Sequence, residues 1–458
     1  MPNLVAVIMA AGKGTRMKSK LPKVMHSLAG KTLIEHVLDT VTQVGIERPL
    51  VIVGHGREEI GTRISERAEL VVQTEQLGTG HAVMQALPYL DLDGAQTVLV
   101  LSGDQPLLKA ETLKALIALH EAQGVSATVL TATTDQPFGY GRVIKNGDSV
   151  IKIAEEKDAT VEQRQIKEIN TGTYCFKGSA LKEALVKITT QNAQGEYYLT
   201  EVFDVLLKLE EKVLAYCTQD SNEALGINSR GQLAQAEGIL RERILDHWMS
   251  EGVTIVDPTS TFIEAEVELS QDVTILPFTR LMGKTRIEED AVIGPQTSLE
   301  NCVVGRGTDV TYTVAKDAVI GERCHIGPFA YLRPGTKLEA EVKVGDFVEI
   351  KNSYVEMGAK IPHLSYIGDT HVGKAVNIGA GTITCNYDGV NKHPTKIGDH
   401  AFIGSNTNLV APLEVGEYAV TGAGSTITKN VPAGALAVER SPQVIKEKWL
   451  KRKDEIGG

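Results

Sequence analysis

In the first half of the chain, up to about residue 228, short unbroken apolar runs alternate with segments whose apolar residues recur at helical spacing. The runs LVAVIM, PLVIVGH, LVVQT and TVLVLSGD are rich in Val, Leu and Ile, which is typical of strands buried on both faces. Helical spacing is followed by two sets of residues: Leu33, Val37, Leu38, Val41 and Val44, and Leu113, Leu116, Ile117 and His120. The alternation predicts a mostly parallel sheet with helices on both faces, and such sheets bind ligands at the carboxyl ends of their strands.

Beyond residue 252 the apolar positions follow a period of six. The inward positions run through Ile320, Ile326, Leu332, Leu338, Val344 and Ile350, then through Ile397, Ile403, Leu409, Val415, Thr421 and Ile427, with a weaker start at Ile287, Ile293 and Leu299. A period of six suits neither an amphipathic helix nor a hairpin array. It predicts a hexapeptide β-helix, in which each hexad forms one side of a triangular coil and its aliphatic residue points inward.

The segment RGQLAQAEGILRERILDHWM lies between the two patterns and carries one apolar stripe among many charges. It predicts a single connecting helix. We therefore expect an α/β protein with three parts: a domain over residues 1–228, a linker helix over residues 229–251 and a β-helix domain over residues 252–458.

The amino-acid composition argues against a nucleic-acid binder, a zinc protein and a membrane protein. The 458 residues carry a net charge of -11, and a nucleic-acid binder would instead present a basic face. Five widely spaced cysteines without a C-x-x-C pair predict a reducing compartment and no zinc site. With neither a signal-peptide pattern nor an apolar run of membrane-spanning length, we expect a cytoplasmic protein with no membrane partner.

The first apolar run leads into MAAGKGTRM, residues 9–17, where two glycines and two alanines keep the backbone free of bulk beside Lys13 and Arg16. This composition suits an anion-binding loop. The P-loop pattern is absent from this loop, and the later stretch Gly30-Lys31-Thr32 has Met25 where the first glycine of that pattern should stand. The loop does not match the dinucleotide-binding fingerprint either, because Met17 stands where its third glycine is expected. From these residues alone, a phosphate-binding loop and a plain tight turn both remain open.

In the second half, the six-residue count is lost after Ile350 and resumes near Ile367, and CNYDGVNKHPT is inserted after residue 384. Both stretches gather polar groups that a coil does not need, among them His363. A histidine there can be a proton acceptor or an ordinary surface residue, and Arg333 and Lys351 can bind phosphate or be solvated charges. No pattern of a covalent nucleophile is visible, which favours direct transfer.

With these motifs in hand, the chain closely resembles the bacterial bifunctional N-acetylglucosamine-1-phosphate uridylyltransferases and glucosamine-1-phosphate acetyltransferases over essentially its whole length. The resemblance rests on AAGKGTRM, LPKVMH, EQLGTGHA, SGD, GYGR, EINTGTY and GINSR, and on LRPGT, EIKNS, HLSYIGD, NIGAGTITCNYDG, IGSN, TGAGSTIT and ERSPQ. It implies a Rossmann-like nucleotidyltransferase domain followed by a left-handed parallel β-helix.

The resemblance also implies site residues. For UTP and UDP-N-acetylglucosamine they are Ala10, Ala11, Gly12, Lys13, Arg16, Lys23, Gln73, Gly78, Thr79, Gly141, Glu155, Asn170 and Asn228, and for Mg²⁺ they are Asp104 and Asn228. For acetyl transfer His363 is the base, Arg333, Lys351, Tyr366 and Asn377 bind glucosamine-1-phosphate, and Ala380, Asn386, Tyr387, Ser405, Ala423 and Arg440 line the acetyl-CoA site. Pro362 restricts the backbone before His363, so the conformation of this segment stays open.

By the same resemblance, acetyl-CoA acetylates glucosamine-1-phosphate, and the resulting N-acetylglucosamine-1-phosphate reacts with UTP, in a homotrimer joined through the β-helix. Two other interpretations remain. One is a sugar nucleotide pyrophosphorylase whose β-helix serves only assembly or regulation, and it predicts no need for His363. The other is a non-enzymatic exchange-factor subunit, which predicts a degenerate glycine loop, whereas Lys23, Asp104 and Asn228 are all present.

Overall fold

The computed structural model describes residues 4–91, 96–447 and 449, and the chain divides into two compact units between Leu240 and Arg241. The division falls inside the segment predicted as a linker helix. Among the described residues, no helix has both the length and the apolar character needed to cross a bilayer.

The described residues of the first unit form eleven strands and six α-helices, followed by the start of a seventh α-helix. The strands are β1 (Leu4–Met9), β2 (Ser27–Leu28), β3 (Lys31–Thr32), β4 (Leu50–Val53), β5 (Glu69–Val72), β6 (Thr97–Ser102), β7 (Ala127–Thr133), β8 (Arg142–Asn146), β9 (Ser149–Ala154), β10 (Glu168–Lys177) and β11 (Val213–Cys217). The helices are α1 (Leu33–Gln43), α2 (Arg57–Ile64), α3 (Thr79–Met84), α4 (Ala110–Gln123), α5 (Gly178–Leu185), α6 (Glu201–Lys208) and α7 (Arg230–Ser250).

The main sheet has the order β5-β4-β1-β6-β10-β7-β11-β9-β8. All of its strands run in one direction except β9 and β10, so the predicted mostly parallel sheet is confirmed. The chain leaves β1 toward β4 on one side and returns to β6 on the other. The loops after β1 and β6 therefore diverge and open a crevice at the carboxyl edge of the sheet.

Helix α1 explains why Gly30-Lys31-Thr32, which matches the last three positions of the P-loop pattern, is not a phosphate loop. In Gly30-Lys31-Thr32 the threonine is the N-cap of α1, and it accepts a hydrogen bond from the Glu35 amide at 3.4 Å. The Glu35 carboxylate accepts in return from the Thr32 amide at 2.9 Å. This capping box satisfies two amides that the first helical turn leaves unpaired, so these residues start a helix.

The second unit is built from short strands joined by tight corners. They are β12 (Thr254–Ile255), β13 (Phe262–Ile263), β14 (Glu268–Leu269), β15 (Thr274–Ile275), β16 (Arg280–Met282), β17 (Arg286–Ile287), β18 (Val292–Ile293), β19 (Ser298–Glu300), β20 (Val303–Val304), β21 (Asp309–Val310), β22 (Val314–Lys316), β23 (Val319–Ile320), β24 (His325–Ile326), β25 (Tyr331–Leu332), β26 (Lys337–Leu338), β27 (Lys343–Asp346), β28 (Glu349–Lys351), β29 (Tyr354–Val355), β30 (Lys360–His363), β31 (Tyr366–Gly368), β32 (Thr370–Val372), β33 (Asn377–Ile378), β34 (Ile383–Cys385), β35 (Thr395–Ile397), β36 (Phe402–Ile403), β37 (Asn408–Val410), β38 (Leu413–Val415), β39 (Val420–Thr421), β40 (Thr426–Ile427) and β41 (Leu436–Ala437).

These strands form three parallel sheets, each taking every third strand along the chain until the last coil, where β41 pairs with β39. The predicted inward residues are buried, so the side walls of a left-handed parallel β-helix enclose one continuous aliphatic core. The core begins earlier than the sequence signal indicates, because Ile255, Ile263 and Leu269 are already inside it.

The apparent loss of register after Ile350 is corrected by the structure. The coil continues through Val355 and Ile361 to Ile367, all fully buried and all on parallel strands. The corner between Ile350 and Val355 is one residue shorter than a regular hexad, which shifts the count without interrupting the sheets. The insertion after Thr384 is a true excursion, since β34 ends at Cys385 and β35 begins at Thr395.

Candidate functional site

A cavity of about 340 Å³ opens where β1 and β6 end. It is lined by Met9, Ala10, Ala11, Gly12, Lys13, Lys23, Val24, Gln73, Gln76, Gly78, Thr79, Ala82, Ser102, Asp104 and Glu196. Most of the residues predicted for UTP are therefore brought together in one place. Arg16 lies outside this lining, on an exposed turn after the glycine loop.

The glycine loop, residues 9–17, packs closely against the turn that carries Lys23. Gly14 has a φ of 59°, and a Cβ atom there would lie 2.6 Å from the Cβ of Lys23. The Ala10 amide donates to the Ile52 carbonyl at 2.9 Å, while Gly12 and Lys13 are exposed. Among the described residues neither Lys13 nor Arg16 forms an ion pair, so both cations are available to an anion.

The Lys23 ammonium bridges two oxygen acceptors, one on Asp104 in the cavity lining and one on Asn228, which lies outside that lining. It pairs with the Asp104 carboxylate and donates to Asn228 Oδ1 at 3.0 Å. Asp104 also accepts from the Ser102 hydroxyl at 2.7 Å, and its carbonyl accepts from the Ile227 amide at 2.9 Å. The turn that carries Asn228 is thus fixed to the loop that carries Asp104.

This arrangement fits a hard cation. In the described part of the chain, no three or more His, Cys, Asp and Glu side chains gather to form a complete metal cage. Mg²⁺ bound with a nucleotide needs only one or two protein oxygens, because phosphates and water fill its other positions. Asp104 and Asn228 present two such oxygens to a common point, where the Lys23 ammonium already lies.

Gln73, Gly78 and Thr79 form a second wall of the cavity. Gln73 is buried, and its Nε2 donates to the Gly78 carbonyl at 3.3 Å. The Thr79 hydroxyl accepts from the Leu199 amide at 3.0 Å. Gly78 has a φ of 112°, and a Cβ there would lie 2.6 Å from the Tyr197 carbonyl oxygen. These contacts hold the backbone that carries Glu196 against the cavity.

Gly141, Glu155 and Asn170, predicted for the sugar, lie outside the lining of this cavity. The Asn170 amide donates to the Gly141 carbonyl at 2.8 Å, and Asn170 Nδ2 donates to the Tyr174 hydroxyl at 2.8 Å. Burial raises the pKa of the Glu155 carboxyl, which accepts from the Thr200 hydroxyl at 2.8 Å. Burial and the nearby Glu155 charge also raise the pKa of Tyr174.

On the β-helix, His363 ends strand β30 and faces solvent. Its Nδ1 lies 2.5 Å from Oδ1 of Asp346, which occupies the equivalent position one coil earlier. The hydrogen bond to His363 holds the pKa of Asp346 below its ordinary value. A carboxylate at Nδ1 fixes the neutral ring with its proton on Nδ1, which leaves Nε2 free to accept a proton.

A column of small residues continues from His363 along the corner of the β-helix. The strand registers place Ala380 beside His363, Ser405 beside Ala380, and Ala423 beside Ser405 on successive coils. The Arg440 guanidinium donates to the Ala423 carbonyl at 3.0 Å and closes the far end of the column. At about 4.8 Å for each coil, His363 and Ala423 lie roughly 14 Å apart.

Of the residues predicted for the sugar phosphate, Arg333, Lys351 and Tyr366 lie on or next to strands of the neighbouring sheet, whereas Asn377 lies on the same sheet as His363. Lys351 Nζ is 3.9 Å from Asp369, and the Arg333 guanidinium donates to Glu349 at 2.7 Å. Tyr366 lies against Gly368, where a Cβ would be 2.5 Å from the tyrosine oxygen. Asn377 is on β33, one coil beyond Lys360.

The inserted loop returns to this sheet. Asn386 Nδ2 donates to the Asp369 carboxylate at 2.5 Å, and Tyr387 at the start of the loop is 59% exposed. The nearby Lys351 ammonium holds the pKa of Lys392, in the inserted loop, below its ordinary value. Two adjacent ammonium groups form a site for a doubly charged anion.

Sequence reasoning missed Asp346, Lys392, Gln76 and Glu196 as site residues. Asp346 lies 17 residues before His363, one fewer than three regular hexads, so counting back by one regular coil reaches Gly345 and misses it. Lys392 lies in the insertion that was recognised, but its contact with Lys351 depends on how the loop folds. Glu196 lies far from the other cavity residues in sequence, and no motif marks it.

Two family models match the chain. The MobA-like NTP transferase domain matches residues 6–169, and the bacterial transferase hexapeptide (six repeats) matches residues 317–352 and 394–429. A solved structure of UDP-glucose pyrophosphorylase complexed with UDP-glucose aligns with 53% of this chain and 99% of its own, at 17% identity and a TM-score of 0.43.

Curated relatives match over nearly the full length. The bifunctional protein GlmU of Desulfitobacterium hafniense is 62% identical over 453 residues, covering 99% of this chain and 100% of its own length. That of Heliobacterium modesticaldum is 54% identical over 449 residues, covering 98% of each chain. The chain therefore belongs to the GlmU family of bifunctional proteins.

Proposed function

We propose that the chain catalyses two consecutive reactions of UDP-N-acetylglucosamine synthesis: acetyl transfer from acetyl-CoA to glucosamine-1-phosphate on the β-helix, then uridylyl transfer from UTP to N-acetylglucosamine-1-phosphate in the α/β unit. The observation that carries the proposal is the presence of two separate polar constellations, one on each unit. Lys23, Asp104 and Asn228 meet at a cavity, and Asp346 orients His363 beside a sugar-phosphate site.

In the uridylyl reaction, a phosphate oxygen of N-acetylglucosamine-1-phosphate attacks the α-phosphorus of UTP, and the bond to the β-phosphate breaks to release pyrophosphate. The nucleophile is already ionised, so the barrier comes from repulsion between anions rather than from a proton. Lys13, Arg16 and Lys23 supply positive charge, and the glycine-loop backbone supplies N–H donors. Mg²⁺ held by Asp104 and Asn228 would neutralise charge on the phosphates.

In the α/β unit, one group of residues is proposed to select the uracil base and a second group to select the amino sugar. Gln73, Gly78 and Thr79 contact the uracil, with the Gln73 amide already aligned by Gly78. Gly141, Glu155 and Asn170 bind the amino sugar. The raised pKa of Glu155 reflects burial, and a bound sugar can offer that carboxylate N–H and O–H donors.

In the acetyl reaction, the amine of glucosamine-1-phosphate attacks the thioester carbonyl, the carbon–sulfur bond breaks, and coenzyme A leaves as its thiol. His363 Nε2 accepts the proton that the amine loses and returns it to the departing thiolate sulfur. Arg333, Lys351 and Lys392 bind the phosphate, and Tyr366 and Asn377 contact the sugar. Ala380, Asn386, Tyr387, Ser405, Ala423 and Arg440 bind acetyl-CoA along the corner column.

The chain is proposed to assemble with two further copies of itself into a homotrimer. Tyr312, Phe329, Phe347 and Leu364 stand on consecutive coils at one corner, and we call them the apolar ladder. They are 37% to 59% exposed, and Phe329 stacks on Phe347 with ring centroids 5.3 Å apart. All four have positive φ values of 46° to 60°, a conformation that is strained for bulky residues.

Association with another copy of the chain would explain why four bulky residues occupy the apolar ladder despite this strain. Its exposed area is on the order of 400 Å², about half of the roughly 800 Å² that one partner contributes to a standard interface. Further along the same corner the ladder positions become Gly381, Asn406 and Gly424, beside the column proposed for acetyl-CoA. A neighbouring chain on the ladder would thus face an open groove next to His363.

Both reactions are assigned to the cytoplasm, where UTP and acetyl-CoA are available. All five cysteines are free thiols, as a reducing compartment favours. The alternative, a pyrophosphorylase with a non-catalytic β-helix, has no use for the Asp346–His363 pair beside two lysines.

The test combines the purified chain with glucosamine-1-phosphate, acetyl-CoA, UTP and Mg²⁺, and follows products by mass spectrometry. UDP-N-acetylglucosamine should form, and omitting acetyl-CoA should stop its formation unless N-acetylglucosamine-1-phosphate is supplied. Product that forms only from N-acetylglucosamine-1-phosphate would support the pyrophosphorylase alternative.

Light scattering tests the assembly. The wild-type protein should have three times the chain mass, and Phe329→Ser with Phe347→Ser should lower that mass and abolish acetyl transfer while uridylyl transfer continues. Phe138→Ser removes an 85% exposed phenylalanine from the α/β unit and is the matched control, with no change expected.

A further inference from the structure

Gln105 is a buried amide directly after the proposed metal ligand Asp104. Its side chain is 5% exposed, in the loop that follows β6. A buried amide must find hydrogen-bond partners, because an unpaired polar group in the interior costs about 1–3 kcal/mol. The partners of Gln105 therefore indicate what its position requires.

The Gln105 amide connects three segments of the chain. Its Nε2 donates to the Thr171 carbonyl and, at 3.5 Å, to the Ala224 carbonyl. Its Oε1 accepts from the Thr173 hydroxyl at 3.3 Å. The side chain thus joins the loop after β6, the middle of β10 and the short turn before Asn228.

Each of these segments carries a residue of the proposed uridylyl site. Asp104 precedes Gln105, Asn170 precedes Thr171, and Asn228 follows the turn that contains Ala224. The β10 segment is irregular here, because its pairing with β7 shifts register between Asn170 and Tyr174. A bulge lacks part of the regular ladder of hydrogen bonds, so its position depends on other contacts.

We propose that Gln105 is a positioning residue for uridylyl transfer, which fixes the sugar-binding bulge of β10 relative to Asp104 and Asn228. The inference rests on the proposed function and concerns the same site. The role needs a donor and an acceptor on one side chain of this length. Leucine provides neither, and a glutamate carboxylate would repel the carbonyls of Thr171 and Ala224.

The test uses the full-length Gln105→Leu and Gln105→Glu variants. Calorimetry with no metal ion added measures the Kd for UDP-N-acetylglucosamine, and steady-state kinetics measures KM for each substrate. We expect Kd and the KM for N-acetylglucosamine-1-phosphate to rise about tenfold, because the side-chain hydrogen bonds that position the bulge are weakened or lost. The KM for UTP should stay within about twofold of wild type, and acetyl transfer should be unchanged, since it takes place on the other unit.

Two further variants separate positioning from general stability. Thr173→Val removes the hydroxyl that Gln105 accepts from, and should shift Kd in the same direction by about threefold. Thr128→Val removes the 3.0 Å contact with His120 from the same unit and is the matched control, with no change in Kd expected.

Lower melting temperatures with unchanged Kd and KM in both Gln105 variants would overturn the inference, as would an equal loss of affinity in Thr128→Val. A wild-type protein that neither binds nor forms UDP-N-acetylglucosamine would instead overturn the proposed function, and this inference with it.

Discussion

The two candidate sites are assembled by different physical means. In the α/β unit, Lys23 and Asn228 are separated by 205 residues and meet because loops converge at the edge of one sheet. On the β-helix, Asp346 and His363 are separated by 17 residues and meet because successive coils stack in register. The first site depends on many long-range contacts in the interior, whereas the second depends on coil length and lies on the surface.

The largest expected effect is the loss of acetyl transfer, without loss of uridylyl transfer, when His363 is replaced. Replacing His363 with alanine should lower the rate of acetyl transfer by about 10³-fold, in the range expected for a general base, while uridylyl transfer is unchanged. Each half-reaction is assayed separately. His325→Ala is the matched control, because His325 also pairs with an aspartate, Asp309, one coil earlier on the same sheet. Equal losses in the two variants would contradict a specific role for His363.

The complementary change is Asp104→Ala. It removes one of two oxygens proposed for Mg²⁺ and leaves Lys23 without its carboxylate, so uridylyl transfer should fall by about 10²-fold or more. Acetyl transfer should continue at the wild-type rate. Asp39→Asn, which alters an ion-paired aspartate on α1, serves as the control and should change neither rate. If both activities fell together in Asp104→Ala, the sites would not be independent.

Acid should destabilise the α/β unit more than the β-helix. Burial lowers the pKa of His120 to about 4, whereas an unfolded histidine takes up its proton near pH 6.5. Between these values the unfolded state binds more protons, so the free energy of unfolding falls as the pH falls, by at most about 3 kcal/mol at pH 4.

Urea denaturation at pH 7 and pH 4.5, followed by signals from each unit, measures this difference. The His120→Gln variant should lose part of the pH dependence, because its side chain does not titrate. If the β-helix unfolded before the α/β unit at the lower pH, the expected difference in acid stability would be contradicted.

The smallest effect is expected at the partner of His363. Asp346→Asn keeps an acceptor for Nδ1 but removes the charge, so acetyl transfer should fall by about tenfold, with the KM for acetyl-CoA unchanged. Asp309→Asn alters the corresponding pair of His325 and should have no effect on either rate. An unchanged acetyl rate in Asp346→Asn would show that the ring is oriented without the carboxylate.

Local patterns in the sequence predict the secondary structure of both units well. The four apolar runs are strands, the linker segment is α7, and the hexad residues are the β-helix core, because each of these features depends on the spacing of neighbours in the chain. The residues of the glycine loop could also be selected from sequence, since a strand end with little side-chain bulk is a local property.

What the sequence left open depends on contacts between distant segments. The bridge from Lys23 to Asp104 and Asn228 requires the strand order of the sheet, which no single segment specifies. The shortened corner after Ile350 concealed the coil that pairs Asp346 with His363, because a count by sixes fails at one missing residue. The contact of Lys392 with Lys351 depends on the fold of an insertion that has no periodicity.

The in-register column from His363 to Ala423 has a consequence for how such proteins can change. Each residue of this column lies one coil of the β-helix from the next. The distance between His363 and Arg440 can therefore change only by whole coils. Adding or deleting one complete turn between β33 and β39 would move the anchor for the far end of a long ligand while leaving the reacting end untouched. For the acetyl-CoA site proposed on this column, the distance between its two ends is therefore set by the number of stacked coils.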